Sequence, residues 1–393
     1  MRIAQENIKR MIYKCNRCGL CIGHSTPDEN FRGYTCPSKE FSSGFEHFGA
    51  RGRILMARAL LEGELTYSNA FAEDLYTCLG CSACREACGA VVDMETGMLL
   101  DPVEIIRAMR EDIVELGLEP ENVKSLDSSV EKTHHAYKQN AEQKAACKKE
   151  LSLPARGDTL YFMGCSTLYL YPEIAKTTVG ILREVGIDVA FLGEEEWCCG
   201  MPQWWGGNVD LAAEVARHNI DAIKASGAKR AIFSCAGCYH AVKNYYPQLV
   251  GDLPFEVVHS SELFVDLIKE GKIQLKQGMK KVVTYHDPCH LGRGGNVYDP
   301  PREILSGIKE ASFVEMPRNR DRAWCCGGEG YAYKDMSAGI TKDRITEAKG
   351  VKADVIATAC PLCVLQLNLE ARKEGIKVYD LSVIVAESMG LKV

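Results

Sequence analysis

Residues 230–238 read RAIFSCAGC, and residues 355–363 read VIATACPLC. In each stretch a short apolar run leads into two cysteines that are separated by two residues. An adjacent cysteine pair and one further cysteine precede each stretch. Matching cysteines lie 124 (289 minus 165), 127 (325 minus 198) and 125 (360 minus 235) residues apart, which indicates a duplicated unit. The complete pattern is Cys165, Cys198, Cys199, Cys235 and Cys238, followed by Cys289, Cys325, Cys326, Cys360 and Cys363.

Both copies alternate short apolar runs with amphipathic segments. This alternation is typical of parallel sheets that are covered by helices and that bind ligands beyond the carboxyl ends of their strands. Because a cysteine follows the first and last predicted strand of each copy, we expect the sulfurs of each copy to converge at one sheet edge. The predicted strands are 159–163, 188–192, 230–234, 281–285, 312–316 and 354–358, and the predicted helices are 172–185, 211–225, 301–307 and 336–349.

Two further cysteine groups precede the duplicated unit. They are Cys15, Cys18, Cys21 and Cys36, and Cys78, Cys81, Cys84 and Cys88. Three cysteines in strict x-x succession can wrap one [4Fe–4S] cubane, and in two-cluster ferredoxins the fourth cysteine of each run ligates the other cluster. A Cys₄ zinc site is the alternative. We therefore assign one cubane to Cys15, Cys18, Cys21 and Cys88, and the other to Cys78, Cys81, Cys84 and Cys36.

The fold class predicted from these patterns is α+β followed by α/β. A mostly helical, ferredoxin-like domain that carries two [4Fe–4S] clusters comes first, with helices at residues 51–64 and 104–116, the second capped by Asp101. Two pseudo-symmetric α/β domains follow it. The expected boundaries are 1–118 for the ferredoxin-like domain, 119–153 for a helical linker, and 154–275 and 276–393 for the two α/β domains.

Each copy of the duplicated unit supplies five thiolates rather than four. Adjacent residues such as Cys198 and Cys199 have Cα atoms only about 3.8 Å apart, so they do not comfortably take opposite corners of one cubane. They are suited instead to neighbouring irons of a distorted cluster. The alternatives are a vicinal disulfide, a Cys₄ zinc site and buried free thiols.

The cysteine spacing and the segment 285–293, YHDPCHLGR, resemble the paired CCG domains of heterodisulfide reductase catalytic subunits. The helix between the two N-terminal cysteine groups resembles members that fuse a two-cluster ferredoxin domain to two CCG domains. These members include the D-type subunit of heterodisulfide reductase and the iron–sulfur subunit of glycolate oxidase. The resemblance implies a noncubane [4Fe–4S] cluster at each CCG motif and, in the reductases, cleavage of a disulfide in two one-electron steps.

The composition narrows the possible partners. A net charge of −6 with mixed signs argues against nucleic acid as a partner, and no apolar run reaches the length of a membrane span. The start of the chain lacks a secretory apolar core, so we expect reduced thiols in the cytoplasm, with any membrane association made through a partner.

No G-x-G-x-x-G or Walker A motif occurs. We therefore expect no flavin or nicotinamide on this chain, and a flavoprotein or another reductase subunit as its partner.

Several other residues could take part in the chemistry. His286 and His290 flank Cys289 and are candidate catalytic groups that could donate a proton to sulfur or ligate iron, although structural roles explain them equally well. Trp197 and Trp324 precede the two cysteine pairs and could shield a cluster from water. We interpret His134-His135 as part of a solvated helical face, and Cys147 as incidental.

These observations favour an iron–sulfur oxidoreductase subunit that carries electrons between ferredoxin-like cubanes and two CCG-bound clusters in a multisubunit redox complex. One alternative is a catalytic heterodisulfide or disulfide reductase. Another is the iron–sulfur subunit of a flavin-dependent glycolate or lactate oxidase. A zinc-stabilised interaction scaffold is the hypothesis from a different functional class.

Overall fold

The structure is a computed structural model that describes residues 1–23, 36–137, 146–147, 149–328 and 334–391. Its N-terminal part is mostly helical, with one short antiparallel ribbon of β1 (Val91–Asp93) and β2 (Met98–Leu99). Short 3₁₀ turns lie at Arg2–Ala4 and Glu46–Phe48. The helices described there are Glu6–Lys14, Pro37–Glu40, Ala50–Leu61, Asn69–Tyr76, Ala83–Glu86, Pro102–Glu115 and Glu121–Thr133.

The helix Pro102–Glu115 begins as the sequence predicts. Asp101 accepts a hydrogen bond from the backbone nitrogen of Val103 at 2.8 Å, and Pro102 occupies the first helical position, where its missing N–H costs nothing. The buried face of this helix packs in one apolar core with the helices Glu6–Lys14 and Ala50–Leu61. The N-terminal part therefore has a core of its own.

The first repeat is built on three parallel strands. They are β3 (Thr159–Phe162), β4 (Arg230–Phe233) and β5 (Glu256–His259), in that order across the sheet. Its helices are Gly164–Tyr169, Pro172–Glu184, Met201–Gly206, Val209–Ser226, Ala236–His240, Tyr246–Val250 and Ser260–Lys269, with a π-helical turn at Ala241–Tyr245 and a 3₁₀ turn at Gly193–Glu195.

The second repeat has four parallel strands in the order β7-β6-β8-β9. They are β6 (Val282–His286), β7 (Ser312–Phe313), β8 (Val355–Thr358) and β9 (Lys377–Asp380). Its described helices are Gly292–Gly295, Asp299–Ser306, Lys334–Gly350, Pro361–Ala371 and Leu381–Met389, with 3₁₀ turns at Arg320–Arg322 and Arg372–Glu374. Buried residues of both repeats form one continuous apolar core.

Two details of the sheets differ from the sequence prediction. The strand predicted at 188–192 is reduced to a single parallel bridge between Ala190 and Leu160. Ala190 nevertheless occupies the position beside β3 that β7 occupies beside β6, so the strand order of the two repeats is the same. The strands β5 and β9 were not predicted, because no cysteine follows either of them to mark the strand end.

Buried polar contacts attach the N-terminal helices to the first repeat. The Arg110 guanidinium donates to the carbonyl oxygens of Cys78 at 2.7 Å and Trp205 at 2.8 Å. The Tyr76 hydroxyl donates to the carbonyl oxygen of Gly206 at 2.6 Å. Gly207 has φ +94° and lies against the backbone of Arg110, where an added Cβ would be 2.6 Å from the Arg110 carbonyl oxygen. The close backbone approach at Gly207 thus places the helix Pro102–Glu115 against the first repeat, and Arg110 on this helix holds the Cys78 carbonyl.

Candidate functional site

The first N-terminal sulfur set surrounds a small cavity. Four cysteines line it together with the side chains of Arg51 and Ile54. Burial raises the pKa of Cys21 to about 12, because a lone thiolate is poorly solvated there. The charge of the neighbouring Cys88 sulfur makes the second largest contribution to this rise. The cysteines of this set are Cys15, Cys18, Cys21 and Cys88.

The second N-terminal set lines a separate cavity between the helices Pro37–Glu40, Ala50–Leu61 and Pro102–Glu115. Arg53 lines this cavity and is 1% exposed, so a fixed positive charge lies beside the sulfurs. Cys36 begins the helix Pro37–Glu40, which presents its sulfur to the cavity. The cysteines of this set are Cys36, Cys78, Cys81 and Cys84.

The five sulfurs of the first repeat form a continuous row. Loops after β3 and β4 supply its two ends, and the adjacent pair lies between them. Gly164 is required here, because its φ is +74° and an added Cβ would meet the Cys238 sulfur at 2.7 Å. Successive sulfur contacts run in the order Cys165, Cys198, Cys199, Cys238 and Cys235.

The second repeat reproduces this row position by position. The Cys363 thiol donates to the Cys326 sulfur at 3.5 Å, and the backbone nitrogens of Gly327 and Gly328 each donate to a sulfur of the adjacent pair at 3.4 Å. Successive contacts run in the order Cys289, Cys325, Cys326, Cys363 and Cys360. The predicted convergence of cysteines beyond the strand ends is therefore present in both repeats.

Two sulfur contacts join the sets to one another. Cys81 of the N-terminal part interacts with Cys325 of the second repeat. Cys235 of the first repeat interacts with Cys360 of the second repeat. The second repeat therefore lies between the N-terminal sulfurs and those of the first repeat.

The sulfur rows shift the acidity of their members in opposite directions. The neighbouring Cys198 sulfur, followed by that of Cys238, lowers the pKa of Cys199 to about 5. Contact with Cys325 likewise lowers the pKa of Cys81 to about 6, with a smaller contribution from the positive charge of Arg293. A thiolate that accepts from neighbouring thiols is stabilised, whereas the donating thiols become weaker acids. Within the rows, contact between sulfurs favours the thiolate, which is the metal-ligating form of cysteine, at Cys199, Cys326 and Cys360.

His286 is part of the second sulfur row. It is 1% exposed. One of its ring nitrogens and the sulfurs of Cys326 and Cys363 all lie within 4.8 Å of one another. Arg344 donates from Nε to His286 Nδ1 at 3.1 Å. His286 is therefore oriented by a buried arginine and faces the sulfurs.

His290 has a different environment. Its Nδ1 lies 3.0 Å from Nδ1 of His240, and both rings are buried near Trp205. Burial, reinforced by the charge on His290, holds the pKa of His240 well below its ordinary value. His290 thus belongs to a histidine pair at the contact between the two repeats, and its predicted catalytic role stays a prediction.

The interpretation of His134-His135 as a solvated face was wrong. His135 is 4% exposed, and its Nδ1 lies 3.6 Å from the Cys165 sulfur. The His134 ring stacks on Trp197 at 3.5 Å, and its carbonyl oxygen accepts from the Cys198 nitrogen at 2.7 Å. The linker composition is polar, but the chain leaves the helix Glu121–Thr133 and covers the first sulfur row. The paired histidines were the available signal.

The two tryptophans that precede the cysteine pairs do not have equivalent surroundings. Trp197 is sandwiched between the rings of His134 and His218. Trp324 is 3% exposed and lies under the Arg318 guanidinium, 4.0 Å from its ring centroid. Their predicted role in shielding a cluster from water stays a prediction. Cys147 is buried, and its environment contains none of the other cysteines.

The donor sets fit iron–sulfur clusters. All nineteen cysteines lie in the described ranges and none is bridged to another, so the thiols are available as ligands. Two sets of four surround separate cavities, which matches the four corners of a cubane. Each repeat offers five sulfurs in contact, one more than tetrahedral zinc accepts. Soft thiolate donors without carboxylates in the rows favour iron–sulfur chemistry.

Comparison with known proteins places this chain among iron–sulfur redox proteins. Residues 159–243 and 283–368 match the CCG cysteine-rich domain. The chain is 34% identical to the D subunit of dihydromethanophenazine:CoB–CoM heterodisulfide reductase from Methanosarcina barkeri, over 96% of this chain and 94% of that protein. It is 27% identical to EtfAB:quinone oxidoreductase of Syntrophomonas wolfei, over 84% of this chain and 48% of that protein. The duplicated unit predicted from the cysteines is thereby confirmed.

Among solved structures, a hypothetical protein from Helicobacter pylori has a similar fold, with a TM-score of 0.56 at 12% identity. The match covers 100% of this chain and 74% of that one, and it supports the fold alone. No helix among the described residues combines the length and apolar character that crossing a bilayer requires.

Proposed function

Because the chain belongs to the family of heterodisulfide reductase D subunits, built on the CCG cysteine-rich domain, we propose that it is an electron-carrying iron–sulfur component of a multisubunit redox complex. Its relatives are iron–sulfur oxidoreductases or their subunits. A flavoprotein or another reductase subunit would be its partner, since two-electron donors must reach the chain from outside.

The observation that carries this proposal is the serial arrangement of the four sulfur sets. Cys21 has Cys36 in its electrostatic environment, which brings the first N-terminal set close to the second. The contact between Cys81 and Cys325 continues the series into the second repeat, and the contact between Cys235 and Cys360 continues it into the first. Such a series supports electron transfer between neighbouring sets in this order.

The residues of the chain would hold two cubane clusters in the N-terminal sets and a five-sulfur, noncubane cluster in each repeat. When bound, these groups accept and release single electrons. The protein supplies thiolates and excludes water. Arg53 and Arg293 place positive charge beside the sulfurs, which offsets part of the negative charge of a thiolate-ligated group.

The proposal is tested by magnetic coupling between neighbouring sets in the anaerobically reduced protein. Cys326→Ser should remove the second-repeat centre and sharpen the EPR signal of the N-terminal cubane that includes Cys81. The matched change Cys199→Ser, in the first repeat, should leave that signal broad. Equal sharpening in both variants, or in neither, would contradict the serial order.

A second candidate function is reductive cleavage of a disulfide at the repeats. Cys289 favours it, because it is partly exposed while the other nine cysteines of the two rows are buried. A disulfide that gains two electrons and two protons yields two thiols, and the electrons would arrive from the N-terminal sets. Release of two thiols per added disulfide by the chemically reduced protein, and loss of this release in Cys289→Ser, is the expected result. No release with any disulfide leaves the electron-carrying role alone.

A further inference from the structure

The two repeats differ at one position beside their sulfur rows. Phe162 and His286 each end the first strand of a repeat, each precedes a matching cysteine by three residues, and each pairs with the last residue of the neighbouring strand. Phe162 packs on the Phe233 ring at a centroid distance of 5.2 Å. His286 instead contributes a ring nitrogen to the group formed with Cys326 and Cys363.

Arg344 fixes which nitrogen of His286 carries the proton. Arginine is a donor only, so its Nε–H requires Nδ1 of His286 to accept, and the 3.1 Å contact has that form. A neutral imidazole with an unprotonated Nδ1 carries its proton on Nε2. If both ring nitrogens carried protons, the Nδ1–H of His286 would face the Nε–H of Arg344, and the hydrogen bond between them would be lost.

The other contacts of Arg344 keep it in place. It is fully buried, donates to the carbonyl oxygen of Arg318 at 2.7 Å, and forms an ion pair with the buried Glu347. The residue at the equivalent position of the first repeat, 125 residues earlier (344 minus 219), is Asn219. Asn219 donates to the Cys198 carbonyl oxygen and to the Tyr246 hydroxyl, and it has no histidine to orient at the Phe162 position. The histidine and the arginine that orients it thus occur together in the second repeat and are both replaced in the first.

His286 Nε2 has no hydrogen-bond partner among the atoms that the structure describes, sulfurs included. A buried N–H without such a partner costs free energy unless another acceptor is present. The Cys326 and Cys363 sulfurs lie within 4.8 Å of a His286 ring nitrogen, and His286 interacts with Cys326. A thiolate is an adequate acceptor, whereas a protonated nitrogen cannot ligate iron.

We infer that His286, oriented by Arg344, is a positioning residue that donates Nε2–H to the Cys326 or Cys363 sulfur and makes the second-repeat centre easier to reduce than it would be without this donor. This inference rests on the iron–sulfur occupancy proposed above. Hydrogen bonds to ligand sulfurs withdraw negative charge and raise the reduction potential of a cluster. Phe162 supplies no donor at the equivalent position of the first repeat, where the histidine beside the sulfurs is instead His135, whose Nδ1 lies 3.6 Å from the Cys165 sulfur.

The test measures the midpoint potential of the second-repeat centre by EPR-monitored titration. A Cys199→Ser background removes the first-repeat centre, so that the second is observed without it. His286→Phe should shift this potential downward, and His286→Gln, which retains an N–H at a similar reach, should keep it closer to the parent value. Phe162→Leu is the matched control at the equivalent position and should leave the potential unchanged.

Iron content and melting temperature, measured on every variant, separate a changed potential from a lost centre. An unchanged potential in a fully loaded His286→Phe protein would overturn the inference and leave the proposed function intact. A strong ¹⁵N hyperfine coupling from labelled histidine, lost in His286→Phe, would also overturn it by making His286 a direct ligand. Absence of iron from the second repeat of the parent protein would overturn the inference together with the proposed function.

Discussion

The sulfur of Cys81, in the N-terminal helical part, interacts directly with the sulfur of Cys325, in the second repeat. Arg293 reinforces this junction, because its guanidinium donates to the carbonyl oxygens of Cys81 at 2.7 Å and Ala323 at 2.8 Å. The junction connects the second N-terminal set to the second repeat.

Cysteine substitutions should separate ligands from bystanders. Cys84→Ser removes a donor from the second N-terminal set, and we expect a loss of about four irons per chain. Cys147→Ala should retain the full iron content, because Cys147 lines neither N-terminal cavity and is not a member of either sulfur row. Iron and acid-labile sulfide analysis of anaerobically purified variants measures the difference. Equal iron loss in both variants would contradict the ligand assignment.

Arg110 should be required for attachment of the N-terminal part. Arg110→Met removes buried hydrogen bonds to the carbonyl oxygens of Leu75, Cys78 and Trp205 and leaves those acceptors unsatisfied. We expect the free energy of unfolding to fall by about 3 kcal/mol. Arg156→Met, at an exposed position, should change it by less than about 0.5 kcal/mol. Anaerobic thermal melting ranks the two variants, and equal melting temperatures would count against this attachment.

Two glycines with similar backbone angles should respond differently to alanine. Gly207 has φ +94° and an added Cβ would clash with the Arg110 carbonyl, whereas Gly227 has φ +82° and open space around it. Gly227→Ala should cost about 1 kcal/mol from backbone strain alone. Gly207→Ala should cost about 3 kcal/mol or more, because the clash adds to the strain. Comparable melting temperatures for the two variants would show that the close approach at Gly207 is not maintained.

The buried ion pair between Asp287 and Arg302 should stabilise the loop that carries Cys289. The two side chains form parallel hydrogen bonds of 2.7 and 2.9 Å. Asp287→Asn should destabilise the protein by about 1.5 to 3 kcal/mol, because it removes one of the two carboxylates that pair with the buried Arg302 guanidinium and leaves only Glu315. The exposed pair of Asp158 and Lys229, 3.4 Å apart, provides the control, and Asp158→Asn should cost less than about 1 kcal/mol.

The effect of Asp287→Asn should depend on pH in one direction. Burial alone would raise the pKa of Asp287, but the Arg302 contact outweighs it and holds the pKa below its ordinary value. The pair therefore stabilises the folded state above the unfolded pKa of about 3.9, and this contribution is lost as pH falls through the lower folded pKa. Melting temperatures of parent and variant should converge below about pH 4, and a constant difference down to about pH 2 would contradict this assignment.

The sequence predicts the architecture well where chemistry and periodicity coincide. Cysteines directly after apolar runs locate β3, β4, β6 and β8, because a metal-binding edge requires ligands at the strand ends. The strand β5 has no cysteine after it, and its four residues carry too little periodicity to be recognised. At 188–192 the apolar run is present, but only Ala190 bonds to the sheet.

The candidate site was predictable in its sulfurs but not in its surroundings. The sequence spacing alone groups the cysteines, since a compact cluster limits how many residues can separate the cysteines that ligate it. His135 was missed because contact with Cys165 depends on how the chain turns after the helix Glu121–Thr133, at a His134 with φ +62°. The orientation of His286 depends on Arg344 in a distant helix, and no local pattern reports such a contact.

The central claim is that four cysteine sets hold iron–sulfur clusters, and anaerobic analysis of metal and sulfide per chain tests it most directly. The account predicts about sixteen irons and about as many acid-labile sulfides, with two of the four sets retained as cubanes when Cys199 and Cys326 are both changed to serine. A colourless protein that contains zinc and no iron would contradict it.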